Sequence, residues 1–536
     1  MKLFVNFRHK QVENKKIWEG INVLSRRDFV KKAALGAVGA TTVGLLGGCS
    51  SSNTTDTAKK PAEITWDKEA DVVIVGAGGT GLAAALQASL DGAKVLVLEK
   101  GGVAGGTTNY SGGVMQAAGT EIQKQYTAYK DDTPEKHYQL WLKAGEGLVD
   151  EELVKDLAYS APEHIKWLET LGLKFTSVYG HCHIPYIEDS LFADRIHVYE
   201  GGGGMGGGTI LVQALLKAAT EKGAQIEYET EVTRILTNEA GEVIGVTAKQ
   251  KDSEIKVKAK KAVILAAASI DHNKEMAKNL SPQQYWVLTS QKCLCADTNT
   301  GDGIRMAMEI GAAVCGFGGT IDFCGKTGAA TDNRVPLFPS FIVNKNGVRF
   351  VCEDATYAYH YRAVFQQEMQ LGGPTYMIFG ESSLEAEGAP WTKESVAKDV
   401  ADGVVFKADT IEELAKKISV DPDNLAATLA TWNSNVKNKK KDPQFGRKTG
   451  LAPIEGPFYA YKNTAYNLGA LGGVKINVNA QVLKPNGEVI PRLYAGGLNA
   501  GGWIGPYYPG SGTAIMGTVH WGRKAGAHAA KLSSLE

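Results

Sequence analysis

Gly76, Gly78 and Gly81, in the stretch DVVIVGAGGTGLAAALQASLDGAKVLVLEK at 71–100, are spaced to hold a pyrophosphate. Gly76 permits a sharp turn, Gly78 lets the backbone approach a phosphate, and Gly81 lets a helix pack closely on a strand. Glu99 follows at the distance where an acid accepts hydrogen bonds from a ribose. The thiols carry less of a signal. Of seven cysteines, Cys182, Cys293, Cys295, Cys315, Cys324 and Cys352 lie beyond residue 49, with no CxxC or CxxCH among them. Covalent haem is excluded, and no iron–sulfur spacing matches, so buried free thiols are the simpler reading. His181, Cys182 and His183 resemble metal ligands but fall in a loop without a second ligand pair, and no metal is expected.

These residues need elements to position them. The apolar run from Val72 to Val75 reads as a buried strand, the small-residue stretch after Gly78 as a helix, and Val95 to Leu98 as a second strand. This is a βαβ unit whose helix N-terminus turns its positive end toward phosphates. The residues before it read as export machinery. Ser25 to Lys31 (SRRDFVK) is a twin-arginine signal. The apolar run from Ala33 to Leu46 is too short and too rich in Gly and Ala for a membrane span. Leu46-Gly47-Gly48-Cys49 resembles a lipoprotein cleavage box with Cys49 as the lipidated residue. The expected organisation is a signal at 1–48, a polar linker at 49–65, and then one large α/β protein. Formal net charge is zero, so nucleic acid is not an expected partner.

Further motifs follow in order: Gly105-Gly106-Thr107-Thr108, Ser111-Gly112-Gly113, Glu231-Val232, the run AVILAA at 262–267, NTGDG at 299–303, and Leu493-Tyr494-Ala495-Gly496-Gly497. Together they resemble the flavoprotein family of fumarate reductases, succinate dehydrogenases and 3-ketosteroid dehydrogenases, over nearly all of residues 68–530. The resemblance implies FAD. It also implies a Rossmann-like FAD-binding domain (66–290 and 463–536) with an inserted α+β substrate (capping) domain at 291–462. It places the cofactor along Gly76, Gly78, Gly79, Thr80, Gly81, Glu99 and Lys100, then along Gly106, Thr107, Thr108, Gly112 and Gly113. Val232, Asp302, Asn499, Thr513, Ala514 and Ile515 complete the expected contacts. Two departures stand out. Residues 266–269 read AAAS where the family usually has a Gly pair, and Leu498 sits near where many members carry Glu.

The fumarate-type members hold a dicarboxylate with His and Arg, because a carboxylate takes charge-assisted, often bidentate donors. Their His position is Gly469 here, their N-R-x-G-G stretch is replaced by Tyr508-Pro509-Gly510-Ser511-Gly512, and the Arg expected four residues after Glu353 is Tyr357. Y-P-G-x-G is similar to the 3-ketosteroid dehydrogenase pattern. That resemblance implies that the Tyr508 hydroxyl and the Gly512 N–H hold a ketone oxygen while Tyr357 transfers a proton. Two donors on the oxygen activate a conjugated C=C, and flavin exchanges the hydride. A second tyrosine could assist, with Tyr110, Tyr126, Tyr129, Tyr359 and Tyr361 as candidates. The expectation is an exported FAD-dependent oxidoreductase reducing an enone, supplied by a separate membrane or surface electron donor and anchored through lipid on Cys49. Three alternatives stay open: a 3-ketosteroid-type dehydrogenase working oxidatively, a fumarate, urocanate or aryl-acrylate reductase with Arg362 or Arg334 on the carboxylate, and a non-catalytic flavin electron-transfer lipoprotein.

Overall fold

Alternation and apolar runs sort the chain into two kinds of sheet. The computed structural model describes residues 64–180, 183–324, 338–387 and 389–535. The expected signal, linker residues 49–63, His181, Cys182 and Arg334 lie outside the described residues. The strand Lys68–Val75 is flanked in parallel by Val95–Leu98 on one side and Ser253–Leu265 on the other. Gln225–Glu227 extends the sheet beyond Val95–Leu98, and Val489–Ala495 extends it beyond Ser253–Leu265, both in parallel. Val72, Val73 and Ile74 are fully buried, as both faces of a parallel sheet require. Each such side chain contributes roughly 1.5–3 kcal/mol of burial. An antiparallel ribbon, Thr230–Thr237 with Val243–Gln250, branches from Ser253–Leu265.

Two helices cover the glycine turn. Gly79–Leu90 packs on the C-terminal helix Thr513–Ala530 at very short range. A Cβ on Gly522 would meet the Thr80 carbonyl oxygen at 2.5 Å, and one on Gly526 the Ala84 oxygen at 2.4 Å. Only glycine lets these backbones touch. The contact carries the start of the C-terminal helix to the end of the sheet where the glycine turn lies.

The second sheet is antiparallel, ordered Phe341–Val343, Tyr376–Gly380, Phe458–Lys462, Val405–Ala408. Its residues alternate between two cores, as a period of two demands. Phe341, Val343, Tyr376 and Ile378 face Leu414, Leu425 and Trp432. Ile342, Met377 and Phe379 face Trp391 and the helix Tyr357–Leu371, through Tyr361 and Val364. Arg349 locks the loop before that helix: it bonds Glu353 (2.9 and 2.7 Å) and Asp442 (3.1 and 2.9 Å), all three buried. A smaller sheet, Lys292–Cys293, Ala465–Ala470 and Thr320–Cys324, turns Ile321, Phe323 and Leu468 toward the cavity described next.

Candidate active site

The glycine turn is built as a phosphate cradle. Gly76 has φ +99°, and a Cβ there would lie 2.6 Å from the Ala266 oxygen. A Cβ on Gly81 would lie 1.9 Å from the Gly76 oxygen. The helix Gly79–Leu90 starts at Gly78 with neither a side-chain cap nor an acid in its first turn, so its positive end has no anionic partner there. A cavity of about 110 Å³ opens at this point. Gly76, Gly78, Gly79, Thr80, Glu99 and Lys100 line it, facing Gly106, Thr107, Thr108, Val232 and Asp302. Glu99 accepts from Ala77 N and Gly101 N, 2.7 Å each, which fixes the carboxylate at the end of its strand. Lys100 Nζ donates to Asp302 (3.0 Å) and Thr300 (2.8 Å). Asp271 closes the floor, and burial pushes its carboxyl up to about 6. A backbone-lined cradle at an uncapped helix start, with an acid beside it, fits the adenosine diphosphate half of FAD.

Three expected cofactor contacts do not line either cavity. Gly81 packs against the turn, and Asn499 Oδ1 accepts from Ala267 N at 3.0 Å, bracing the wall. The Thr513 hydroxyl is spent on the Gly510 carbonyl, 2.9 Å away. Gly81 and Asn499 support the cradle from behind, and Thr513 braces the loop beside the larger cavity.

A larger cavity, about 340 Å³, shares Thr107, Thr108, Leu468, Leu498 and Thr518 with the first. Gly112 and Gly113 form one side; Gly512, Ala514 and Ile515, at the start of the C-terminal helix, form another. Tyr357 and Tyr508 face into it with ring centroids 6.0 Å apart. Their chain neighbours hold them there: Thr356, which caps the helix Tyr357–Leu371, hydrogen-bonds the Tyr507 hydroxyl. The Tyr508 hydroxyl accepts from Ala514 N at 3.0 Å, and the Ser511 hydroxyl donates to the Tyr357 oxygen at 3.4 Å. Sequence reasoning missed Ser511 and Tyr179, which also line the cavity. Ser511 lay inside the Y-P-G-S-G motif and could have been found there; Tyr179 carries no motif. None of the five tyrosines considered as a second proton carrier lines it. Tyr110 and Tyr126 are exposed, and Tyr361 donates to the Thr464 carbonyl in the core.

Among the described residues, no Lys, Arg or His lines the larger cavity. A Cβ on Gly469 would meet Leu498 Cδ1 at 2.8 Å, so Leu498 fills the space a side chain at 469 would need. Arg362, the candidate carboxylate anchor, is committed elsewhere, bonding Glu146 through two 2.8 Å contacts. Glu353 is buried against Arg349 and lines neither of these cavities.

The chain resembles known proteins over most of its length. The family model described as FAD binding domain matches residues 71–515. Digoxin reductase from Eggerthella lenta is 33% identical over 96% of this chain and 98% of its own length. Urocanate reductase from the same organism is 32% identical, covering 88% of this chain and 76% of its own. Among solved structures, 3-ketosteroid-Δ4-(5α)-dehydrogenase from Rhodococcus jostii RHA1, in complex with 4-androstene-3,17-dione, superimposes with a TM-score of 0.73 at 29% identity. That match covers 88% of this chain and 98% of the dehydrogenase. With its parallel sheet, glycine cradle and capping domain, the chain belongs to the FAD binding domain family and is an FAD-dependent oxidoreductase acting on CH–CH groups.

Proposed function

We propose that this protein reduces a C=C bond conjugated to a ketone, in a substrate with a large apolar body. One observation carries the reading: the 340 Å³ cavity presents the phenols of Tyr179, Tyr357 and Tyr508 and a helix start on apolar walls, with no cation among its described lining residues. A carboxylate buried there would lack the charged donors it requires. A ketone needs only neutral donors. Tyr508 O–H and Gly512 N–H hold its oxygen, where negative charge grows in the transition state. The helix Thr513–Ala530 adds the positive end of its dipole to the same place. Tyr357 delivers the proton to the carbon beside the carbonyl; the bond its oxygen accepts from Ser511 polarises the phenol O–H toward release. FAD supplies the hydride when bound. Ile321, Phe323, Leu468 and Leu498 exclude water and match an apolar substrate.

The relatives named digoxin reductase and urocanate reductase support reduction as the direction, and the structural neighbour solved with a steroid enone supports the ketone. We further propose that the protein works outside the cytoplasm, delivered by the signal at 1–48, held by lipid on Cys49 and fed by a separate electron donor. Tyr508→Phe tests the oxygen anchor. Turnover of an enone should fall about 10²–10³-fold, the effect of losing one oxyanion donor, with FAD still bound. Unchanged turnover would remove Tyr508 from the mechanism.

A further inference from the structure

Cys352 and Asp354, on either side of Glu353, make a second cluster with His183, apart from both cavities. Cys352 Sγ lies 3.0 Å from Asp354 Oδ1, and His183 Nδ1 lies 3.1 Å from the same oxygen. One ligand atom from each residue falls within 4.8 Å of the other two. Asp354 is 4% exposed and Cys352 1%, whereas the His183 side chain keeps 15% and leaves a path for an ion.

The carboxylate is oriented from behind. Asp354 Oδ2 accepts from Lys448 N (2.8 Å), Thr449 N (3.1 Å) and the Thr449 hydroxyl (3.1 Å). That leaves Oδ1 as the oxygen aimed at the sulfur and the imidazole. The Cys352 carbonyl is fixed in turn by His360 Nε2 at 2.9 Å. Such bonds to the far side of a ligand are what hold metal sites in shape. One imidazole nitrogen, one sulfur and one carboxylate oxygen form a mixed donor set suited to Zn²⁺. Donors around a tetrahedral ion with bonds of about 2.0–2.3 Å sit roughly 3.5 Å apart, so only a small adjustment is needed.

We propose that His183, Cys352 and Asp354 form a zinc-class divalent cation site. Binding displaces the Cys352 thiol proton to solvent, and the thiolate, the neutral imidazole and the carboxylate take three positions, with water in the fourth. No residue of the set lines the 340 Å³ cavity, so the ion serves as a clamp. Thr356 N donates to the His183 carbonyl at 3.0 Å, and Thr356 also bonds Tyr507. The clamp therefore ties the His183 loop to the segment that presents Tyr357.

The test uses the full chain with FAD bound, dialysed first against a chelator and then against buffered Zn²⁺, with bound zinc and flavin measured together. Equimolar zinc is expected in the wild type, with at least tenfold weaker retention in Cys352→Ser and His183→Ala at unchanged flavin content. Thr449→Val, which loosens the carboxylate, should weaken binding about 10–100-fold. His183 is half-buried, so His183→Ala remains informative should Cys352→Ser fail to fold. Absence of zinc from the wild-type chain would overturn the site, as would equal retention in the variants.

Discussion

Gly469 and Leu498 solve one packing problem together. The first gives up its side chain and the second fills the space, so the wall that could have carried an ionic anchor is apolar. Each change was visible in the sequence as a separate departure; their contact was not, because residues 29 positions apart become neighbours only through the fold. The glycine cradle was legible because backbone geometry dictates residue type there. Tyr357 and Tyr508 were legible only through resemblance, since no spacing rule pairs two phenols across lobes. The thiols hold another residue-scale consequence. Cys293 and Cys295 both lie 3.6 Å from Asn467 Oδ1, and Cys293 lies 3.7 Å from His272 Nε2. The Cys295 thiol, then His272, stabilises the Cys293 thiolate and pulls it well below the usual thiol range, while burial pushes Cys295 up. The same contact raises His272 to about 9. Among the described thiols, iodoacetamide should therefore label Cys293 first, and labelling should persist down to about pH 6, below the free-thiol pKa of about 8.5. A rate followed by peptide mass spectrometry that declines with pH as a free thiol does would contradict the ion pair.

At the scale of elements, the strand Ser253–Leu265 ends in a run that breaks a local rule. Ala268 sits at φ +57°, in the left-handed region that glycine occupies without strain, on the wall of the cofactor cavity. The AAAS run had marked this as unusual, but sequence alone could not say which alanine carries the strain. Ala268→Gly should stabilise the protein by about 1 kcal/mol, with the gain tempered by the freedom glycine adds to the unfolded chain. Thermal unfolding of the flavin-loaded chain reads this directly; a lower melting temperature would mean that the alanine methyl packs better than its backbone strains. The βαβ unit was readable from its apolar runs and glycines, whereas the capping domain was legible only through resemblance and its antiparallel sheet not at all. The Arg349–Glu353–Asp442 lock was not, since its charges lie up to 93 residues apart and look like ordinary surface residues in a linear reading.

For the whole molecule, two lobes and one shared cavity give the chain its chemistry: the parallel sheet supplies the cradle and the C-terminal helix, and the cap supplies Tyr357. The fold class followed from the order of the motifs, while the cavity depended on contacts between lobes. Cys49→Ala should release the protein from membranes without changing turnover in detergent, and persistent attachment on fractionation would require another anchor. Flavin reoxidation reads the substrate chemistry. The FAD-loaded protein would be reduced anaerobically with dithionite and mixed with a Δ4-3-ketosteroid, a Δ1,4-diene ketosteroid, urocanate, a cinnamate and fumarate. Rapid reoxidation by an enone, lost in Tyr508→Phe, is the predicted result. Reoxidation by the carboxylates alone would contradict the account and show that the cavity recruits a cation.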